Sequence, residues 1–194
     1  LDKRIGPHYL KAGFGYGGSC LPKDIKSFYQ LVRATGYSFK LLKSVIEINA
    51  NQRMRIIEKI KNLYPPRQLE KKTIAILGLA FKDNTDDVRE SMAIEIAKKL
   101  QKLGVRLKVY DPKAMGSARK VLPSKIEFCN SAYQAVQDAD LILIAAEWEQ
   151  FQKLQWSKIK ELVKKPMIVD GRNLLDPVKM KRLGFSYMGV GRNA

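Results

Sequence analysis

Cysteine and histidine are nearly missing from this chain, with two Cys and one His among 194 residues. Two cysteines in unlike settings, Cys20 and Cys129, do not make a disulfide framework, and a reducing cytosol is the expected compartment. His8 alone makes no metal site, no zinc-ligand spacing occurs elsewhere, and no metal is expected. Long apolar runs are also missing. None approaches the roughly 20 residues that span a bilayer, and LDKRIGPHYL lacks the charged-then-apolar order of a secretion signal. The chain opens on Leu1 in mid-pattern, so further residues are expected upstream. Acidic residues are scarce, 19 Asp and Glu against 36 Lys and Arg, for a formal charge of +17. A basic surface attracts nucleic acids, anionic membranes and phosphorylated small molecules alike. The lysines, however, are spread through helical patterns such as KKLQKLG and KIKELVKK, with no aromatic-basic run of the RNA-binding kind. Neither a nucleic acid nor a membrane is therefore expected as a partner.

What is present suits one or two soluble domains: 45% of residues are hydrophobic and 28% charged. In DIKSFYQLVRATG, residues Ile25, Phe28, Leu31 and Val32 recur at helical spacing, with Gly36 as a stop. A longer helical pattern follows, carrying Leu42, Val45, Ile46, Ile56, Ile57 and Ile60, and Pro65-Pro66 ends it. The boundary falls there, giving a helical segment over 1–68 and a second unit over 69–194. The second unit changes grammar. TIAILGLAF, VRLKVYDP, a short piece at 126–129, DLILIAAE, MIVDGRN and 185–190 read as strands. Amphipathic helices separate them, the first being SMAIEIAKKLQKLG with Gly104 at its end. Apolar strands alternating with helices predict an α/β fold with a Rossmann-like, doubly wound parallel sheet.

A dinucleotide-binding sheet needs G-x-G-x-x-G in its first βα turn and an acid after the second strand. Asp111 stands where the acid would, but the turn reads GLAFKDNTDDVRES, with one glycine and a bulky Phe81. The sheet is expected to use its loops otherwise, with ligands outside the carboxyl ends of the strands. There Lys82, Arg89, Glu147-Trp148 and Arg172 offer charges to an anion.

The stretch AGFGYGGSCLPKD concentrates the chemistry. Glycines at 13, 15, 17 and 18 let backbone N–H groups approach a ligand. Ser19 is expected as a helix N-cap and Pro22 fits a first turn, which puts Cys20 at a helix start beside Lys23. Both features favour a thiolate. Asp24 lies one turn on, on the same face. On spacing alone the stretch is either a nucleophile with its carboxylate or a tight connection that carries a small thiol. Cys129, in IEFCNS, reads as a plain buried thiol.

GFGYGGSCLPKD, GLAFKDNTDDVRES, VYDP, EWEQF and DGRNLLDP resemble, in order and spacing, the signatures of the UDP-glucose dehydrogenase family. That family has siblings acting on GDP-mannose and UDP-N-acetylmannosamine, and DGRNLLDP and EWEQF favour UDP-glucose. The resemblance covers the whole chain but only the carboxyl-terminal half of the family's enzyme, without its NAD-binding domain. It implies oxidation of the sugar's C6 alcohol to a carboxylate, giving UDP-glucuronate, in two hydride transfers to NAD. Cys20 would be the nucleophile, passing through a thiohemiacetal and a thioester, and Asp24 would assist hydrolysis. Lys11, Ala12, Gly13, Phe14, Gly15, Tyr16 and Gly17 match a loop that wraps the substrate. Phe81, Lys82 and Arg172 match substrate contacts, and Arg4 matches an arginine that reaches a neighbouring subunit's site. Cys20, Leu21, Pro22, Lys23 and Arg89 match positions that touch NAD, although productive NAD binding would need the other half of the enzyme. The helical segment matches a central dimerisation region, so a homodimer is expected. An anionic substrate and cofactor account for part of the positive charge. A module that binds nucleotide-sugars or nucleic acid without catalysis is the alternative.

Overall fold

The computed structural model describes residues 11–65 and 67–192. The positions of Arg4 and His8 lie outside these. Two helices come first, α1 (Leu21–Ala34) and α2 (Lys40–Asn62). After a 3₁₀ turn at Leu69–Lys71 the chain alternates: β1 (Thr73–Leu77), α3 (Met92–Lys102), β2 (Arg106–Tyr110), α4 (Met115–Arg119), β3 (Glu127–Phe128) and α5 (Ala132–Val136). It continues through β4 (Leu141–Ile144), α6 (Glu149–Gln152), α7 (Trp156–Leu162), β5 (Met167–Asp170), α8 (Pro177–Arg182) and β6 (Ser186–Gly189). The six strands form one sheet in the order β3-β2-β1-β4-β5-β6, and every pairing is parallel. The expected doubly wound sheet is therefore present.

The strand sequences explain their places. TIAIL, LILI and MIVD are buried at every residue, as strands covered by helices on both faces must be. Strand β2, next to the two-residue β3, is buried only at Leu107 and Val109. The order reverses between β1 and β4, and the loops leaving those two strands border the crevice where ligands gather on such sheets.

Three aspartates secure strand ends. Asp111, only 1% exposed, accepts from Leu79 N (2.7 Å), Ala80 N (3.1 Å) and Trp148 Nε1 (3.2 Å) through one oxygen. Its other oxygen accepts from Lys113 N (2.9 Å) and Ala114 N (2.8 Å). Asp170 accepts from Arg172 N, Leu175 N and the Tyr187 hydroxyl, and burial, then the Asp170 charge, raises the tyrosine's pKa. Asp140 accepts from Thr73 N and pairs with Lys72. Each buried carboxylate is thus matched by backbone and side-chain donors.

Helix α2 joins the sheet's core. Ile56, Ile57 and Ile60 are buried in the same cluster as Ile96 and Leu100 of α3 and Ile74 and Ile76 of β1. An Arg53–Glu95 ion pair and a bond from Lys59 Nζ to Gly189 O (2.7 Å) fasten it further. By contrast, α1 buries only Pro22, and its Phe28 and Leu31 stay exposed. Its cap differs from expectation. The chain is already helical at Cys20, which is the N-cap, while Ser19 Oγ lies 3.6 Å from the thiol sulfur and caps nothing. Short α6 and α8 lie in stretches too brief for periodicity to show. For α8 the cap is local, since Asp176 accepts from Val178 N and Lys179 N ahead of Pro177 at N1. No helix among the described residues is long and apolar enough to cross a membrane.

Replacing Asp111 with Ala leaves five N–H donors without their acceptor. We expect urea unfolding to show a loss of about 3 kcal/mol or more. A loss below about 1 kcal/mol would refute this account of the turn.

Candidate functional site

Where the glycine loop crosses the carboxyl end of the sheet, a cavity of about 560 Å³ opens between three parts of the chain. Lys11, Gly13, Gly15, Tyr16 and Gly17 come from the loop, and Leu21 from the start of α1. Val45, Ile48, Asn49 and Gln52 present one stripe of α2. Phe81, Lys82, Glu147 and Arg172 come from the loops after β1, β4 and β5. Cavities of about 630 and 640 Å³ lie at the amino ends of the strands and beside the linker, so size alone does not pick the site. Position does, since only the first lies at the edge where the sheet order reverses.

The loop fits because two glycines have no side chain to lose. Gly15, at φ +117°, would place a Cβ 2.7 Å from Asn49 Oδ1, and a Cβ on Gly17 would fall on Glu90 O. Beyond exposing N–H groups, these glycines let the backbone lie directly against α2 on one side and the turn after β1 on the other. Phe14 points away from the cavity, 1% exposed, and Phe14 N donates to Gly171 O at 3.0 Å. Its ring carries the Arg172 guanidinium 4.8 Å from its centroid. Phe14 therefore anchors the loop to the sheet through its ring and its N–H.

The cavity's charges are mixed, with an excess of cations. Lys11 Nζ is 3.3 Å from Glu147, both partly in solvent, and Lys82 is exposed over the Phe81 ring. Arg172 Nη2 donates to Phe81 O at 2.9 Å and Nε to Ala145 O at 3.4 Å, so it joins the three strand-end loops. Burial lowers its pKa, and Glu147 and Asp170 oppose that, yet a guanidinium stays charged at neutral pH. Burial also raises the Tyr16 phenol, with Arg53 in partial opposition, so Tyr16 remains a neutral donor.

The reacting candidates stand next to this cavity. Cys20 is exposed and does not line it, although Gly17 before it and Leu21 after it do. Asp24 N donates to Cys20 O at 2.8 Å, which fixes the pair one helical turn apart, and the Asp24 carboxylate reaches Lys23 at 3.4 Å. Arg89 O accepts from Gly18 N at 3.2 Å, and its guanidinium grips Asp87. The pair shifts Asp87 down and Arg89 up, and the nearby Cys20 adds a little to the latter. Of the residues singled out from sequence, Lys11, Gly13, Gly15, Tyr16, Gly17, Leu21, Phe81, Lys82 and Arg172 share the cavity wall. Ala12, Phe14, Cys20, Pro22, Lys23, Asp24 and Arg89 do not. Asn49, Gln52, Val45 and Ile48 were missed. The signal for Asn49 was a polar residue at i+4 from Val45 and i+3 from Ile46, on the apolar side of the helical pattern.

Known proteins match the whole chain. Residues 1–51 match the central domain of the UDP-glucose/GDP-mannose dehydrogenase family, and residues 75–177 match that family's UDP binding domain. The UDP-glucose 6-dehydrogenase TuaD of Bacillus subtilis (strain 168) is 42% identical over 194 residues, which is 100% of this chain and 42% of TuaD. A UDP-glucose 6-dehydrogenase of Rickettsia conorii is 44% identical over 98% of this chain and 44% of its own length. Among solved structures, a UDP-glucose dehydrogenase from the archaeon Pyrobaculum islandicum superposes with a TM-score of 0.82 at 35% identity, covering 98% of this chain and 41% of that one. The chain thus spans less than half the length of these relatives.

The two thiols should separate cleanly. Burial, then Glu127, pushes Cys129 up to about 11, so at pH 8 roughly one Cys129 in a thousand is a thiolate. Iodoacetamide at pH 8 should add one adduct, on Cys20, with Cys129 labelled only after unfolding. Equal labelling of both in the native chain would contradict this geometry.

Proposed function

The chain belongs to the UDP-glucose/GDP-mannose dehydrogenase family, and from that premise we propose that it forms the nucleotide-sugar-binding half of a longer NAD-dependent UDP-glucose 6-dehydrogenase. In this reading residues 1–68 are the central segment and 69–194 the UDP-sugar-binding unit. The observation that carries the proposal is one cavity where Lys11, Lys82 and Arg172 converge, with an exposed Cys20 three residues past Gly17. Three cations against Glu147 suit a diphosphate, which lysine and arginine bind through charge-assisted hydrogen bonds. Arg4 is the proposed contribution to a neighbouring subunit's site.

The chain's own residues suit NAD only in part. In the turn after β1, Leu79 N and Ala80 N already donate to Asp111, so a pyrophosphate has no seat there. The cofactor's main site is therefore assigned to residues outside this chain. The Cys20–Lys23 segment and Arg89, which adjoin one another, are its proposed contacts here. Bound NAD supplies the hydride acceptor.

Cys20 and Asp24 supply the rest of the chemistry. The first hydride transfer, with release of the hydroxyl proton, turns the C6 alcohol into an aldehyde. The thiolate then adds to that carbon, the C–S bond forms as the carbonyl π bond opens, and the oxygen takes up a proton to give a thiohemiacetal. Loss of hydride from that carbon to the acceptor, together with the hydroxyl proton, leaves a thioester. Water then adds to the thioester carbonyl, the C–S bond breaks, and the thiolate returns as the carboxylate forms. Asp24, one turn along α1, is the proposed acceptor of a proton from that water.

A homodimer through the helices is the proposed assembly. Leu31 and Leu41 are 67% and 70% exposed, and Phe28 and Tyr37 lie bare nearby, an apolar surface that water tolerates poorly. Sedimentation of the complete enzyme as a monomer at micromolar concentration would count against it. Two free cysteines fit a cytoplasmic setting.

In the complete enzyme, Cys20→Ser should cut NADH production from UDP-glucose by about three orders of magnitude or more. Calorimetry should find UDP-glucose binding within about threefold of wild type, because Cys20 is not part of the cavity wall. Retained oxidation would refute the nucleophile. Turnover of GDP-mannose or UDP-N-acetylmannosamine, with none of UDP-glucose, would refute the choice of sugar.

A further inference from the structure

Asn49 is a polar residue, 7% exposed, and is the one polar side chain among the buried residues of α2, beside Ile56, Ile57 and Ile60. Both ends of its amide are committed to one distant residue. Asn49 Oδ1 accepts from Tyr16 N at 2.8 Å, and Nδ2 donates to Tyr16 O at 3.1 Å. A side-chain amide is the short group that offers an acceptor and a donor side by side, so it can pair with a peptide unit as a neighbouring strand would. Gly15 completes the fit, since any Cβ there would press on Asn49 Oδ1.

We propose that Asn49 is the positioning residue for the sugar-binding loop and the Cys20 thiol, acting through the Tyr16 backbone, and this rests on the functional reading above. The loop is held at Tyr16 from α2 and at Gly18, whose N donates to Arg89 O, from the second unit. Cys20 follows two residues after that second point. The helix that carries Asn49 is itself immobilised, because Ile56, Ile57 and Ile60 are buried against α3 and Arg53 pairs with Glu95. Position is thus passed from sheet to α3, to α2, to Tyr16 and on to the thiol. Without Asn49, Tyr16 N and O lose their partners, and the middle of the loop between the Phe14 and Gly18 backbone attachments is left unheld among the described contacts. Asp offers the acceptor but turns a second oxygen toward Tyr16 O, so it does not substitute.

The test uses the complete enzyme with Asn49→Leu, Asn49→Asp and Gly15→Ala, and Ile159→Val as a control that loosens the separate core cluster under α7, away from α2 and the loop. All three loop variants should raise KM for UDP-glucose about tenfold and lower kcat about tenfold. The control should keep wild-type kinetics even where its melting temperature falls as far as theirs. Loop variants that behave like the control at equal melting temperature would overturn the proposal. So would rescue by Asn49→Asp. Gly15→Ala disturbs the same contact from the other side, so an Asn49 variant that fails to fold leaves the question open to measurement. If wild-type enzyme does not oxidise UDP-glucose, the functional reading fails by itself, and the iodoacetamide rate at Cys20 decides the positioning role. That rate should change at least about fivefold in Asn49→Leu, and an unchanged rate refutes the role.

Discussion

Everything in this site depends on a close approach: the backbone of the glycine loop lies between a helix and the edge of a sheet. Side chains at Gly15 and Gly17 would meet Asn49 Oδ1 and Glu90 O. Dispersion and hydrogen bonding at that distance hold the loop, and no other residue type could approach so near. The cavity follows from it, because the loop forms one wall, α2 a second and the strand-end loops a third. None of the three encloses a ligand site alone. The long helix matters less as a dimer element in this view than as a rigid beam. Its buried isoleucines tie the loop to the sheet's core.

The second constraint is how buried carboxylates are used. A Rossmann-like turn presents N–H groups that elsewhere receive a pyrophosphate. Here Asp111 takes those of Leu79 and Ala80 and adds Lys113 N, Ala114 N and the Trp148 indole. The turn is thereby self-satisfied and rigid, and Phe81 and Lys82 project from it toward the loop. Asp170 does the same for the turn that carries Arg172. The sheet has kept the architecture of a dinucleotide fold and spent its anion-binding donors on internal acids. The anionic ligand is left to side-chain cations at the rim.

Much of this was legible in the residues themselves. Continuous apolar strands such as TIAIL and LILI announce a covered parallel sheet, because only burial on both faces favours them. The glycine cluster before Cys20 marks the loop, and the single-glycine turn with Phe81 excludes a dinucleotide seat. What could not be read were partners far apart in the chain. Phe14 turns inward because Gly171 and Arg172 receive it, and Asn49 matters because Tyr16, 33 positions earlier, lies across it. The close packing of Gly15 against Asn49 and of Gly17 against Glu90 O was hidden for the same reason. Ser19 reads as a cap, but the backbone enters the helix one residue later and leaves its hydroxyl beside the thiol. Asp111 was visible as an acid after a strand, yet only its five donors decide that it is structural.

The central claim is that the nucleotide-sugar sits between the glycine loop and the loops leaving β1 and β5. Amide hydrogen exchange of this chain, with and without saturating UDP-glucose, reads that placement directly. The account predicts slower exchange at Gly13–Gly18 and at Phe81–Lys82, with Arg172 and its neighbours following. Protection confined to the amino ends of the strands, around Arg106, Lys108 and Lys125, would place the ligand at the opposite edge of the sheet and contradict it.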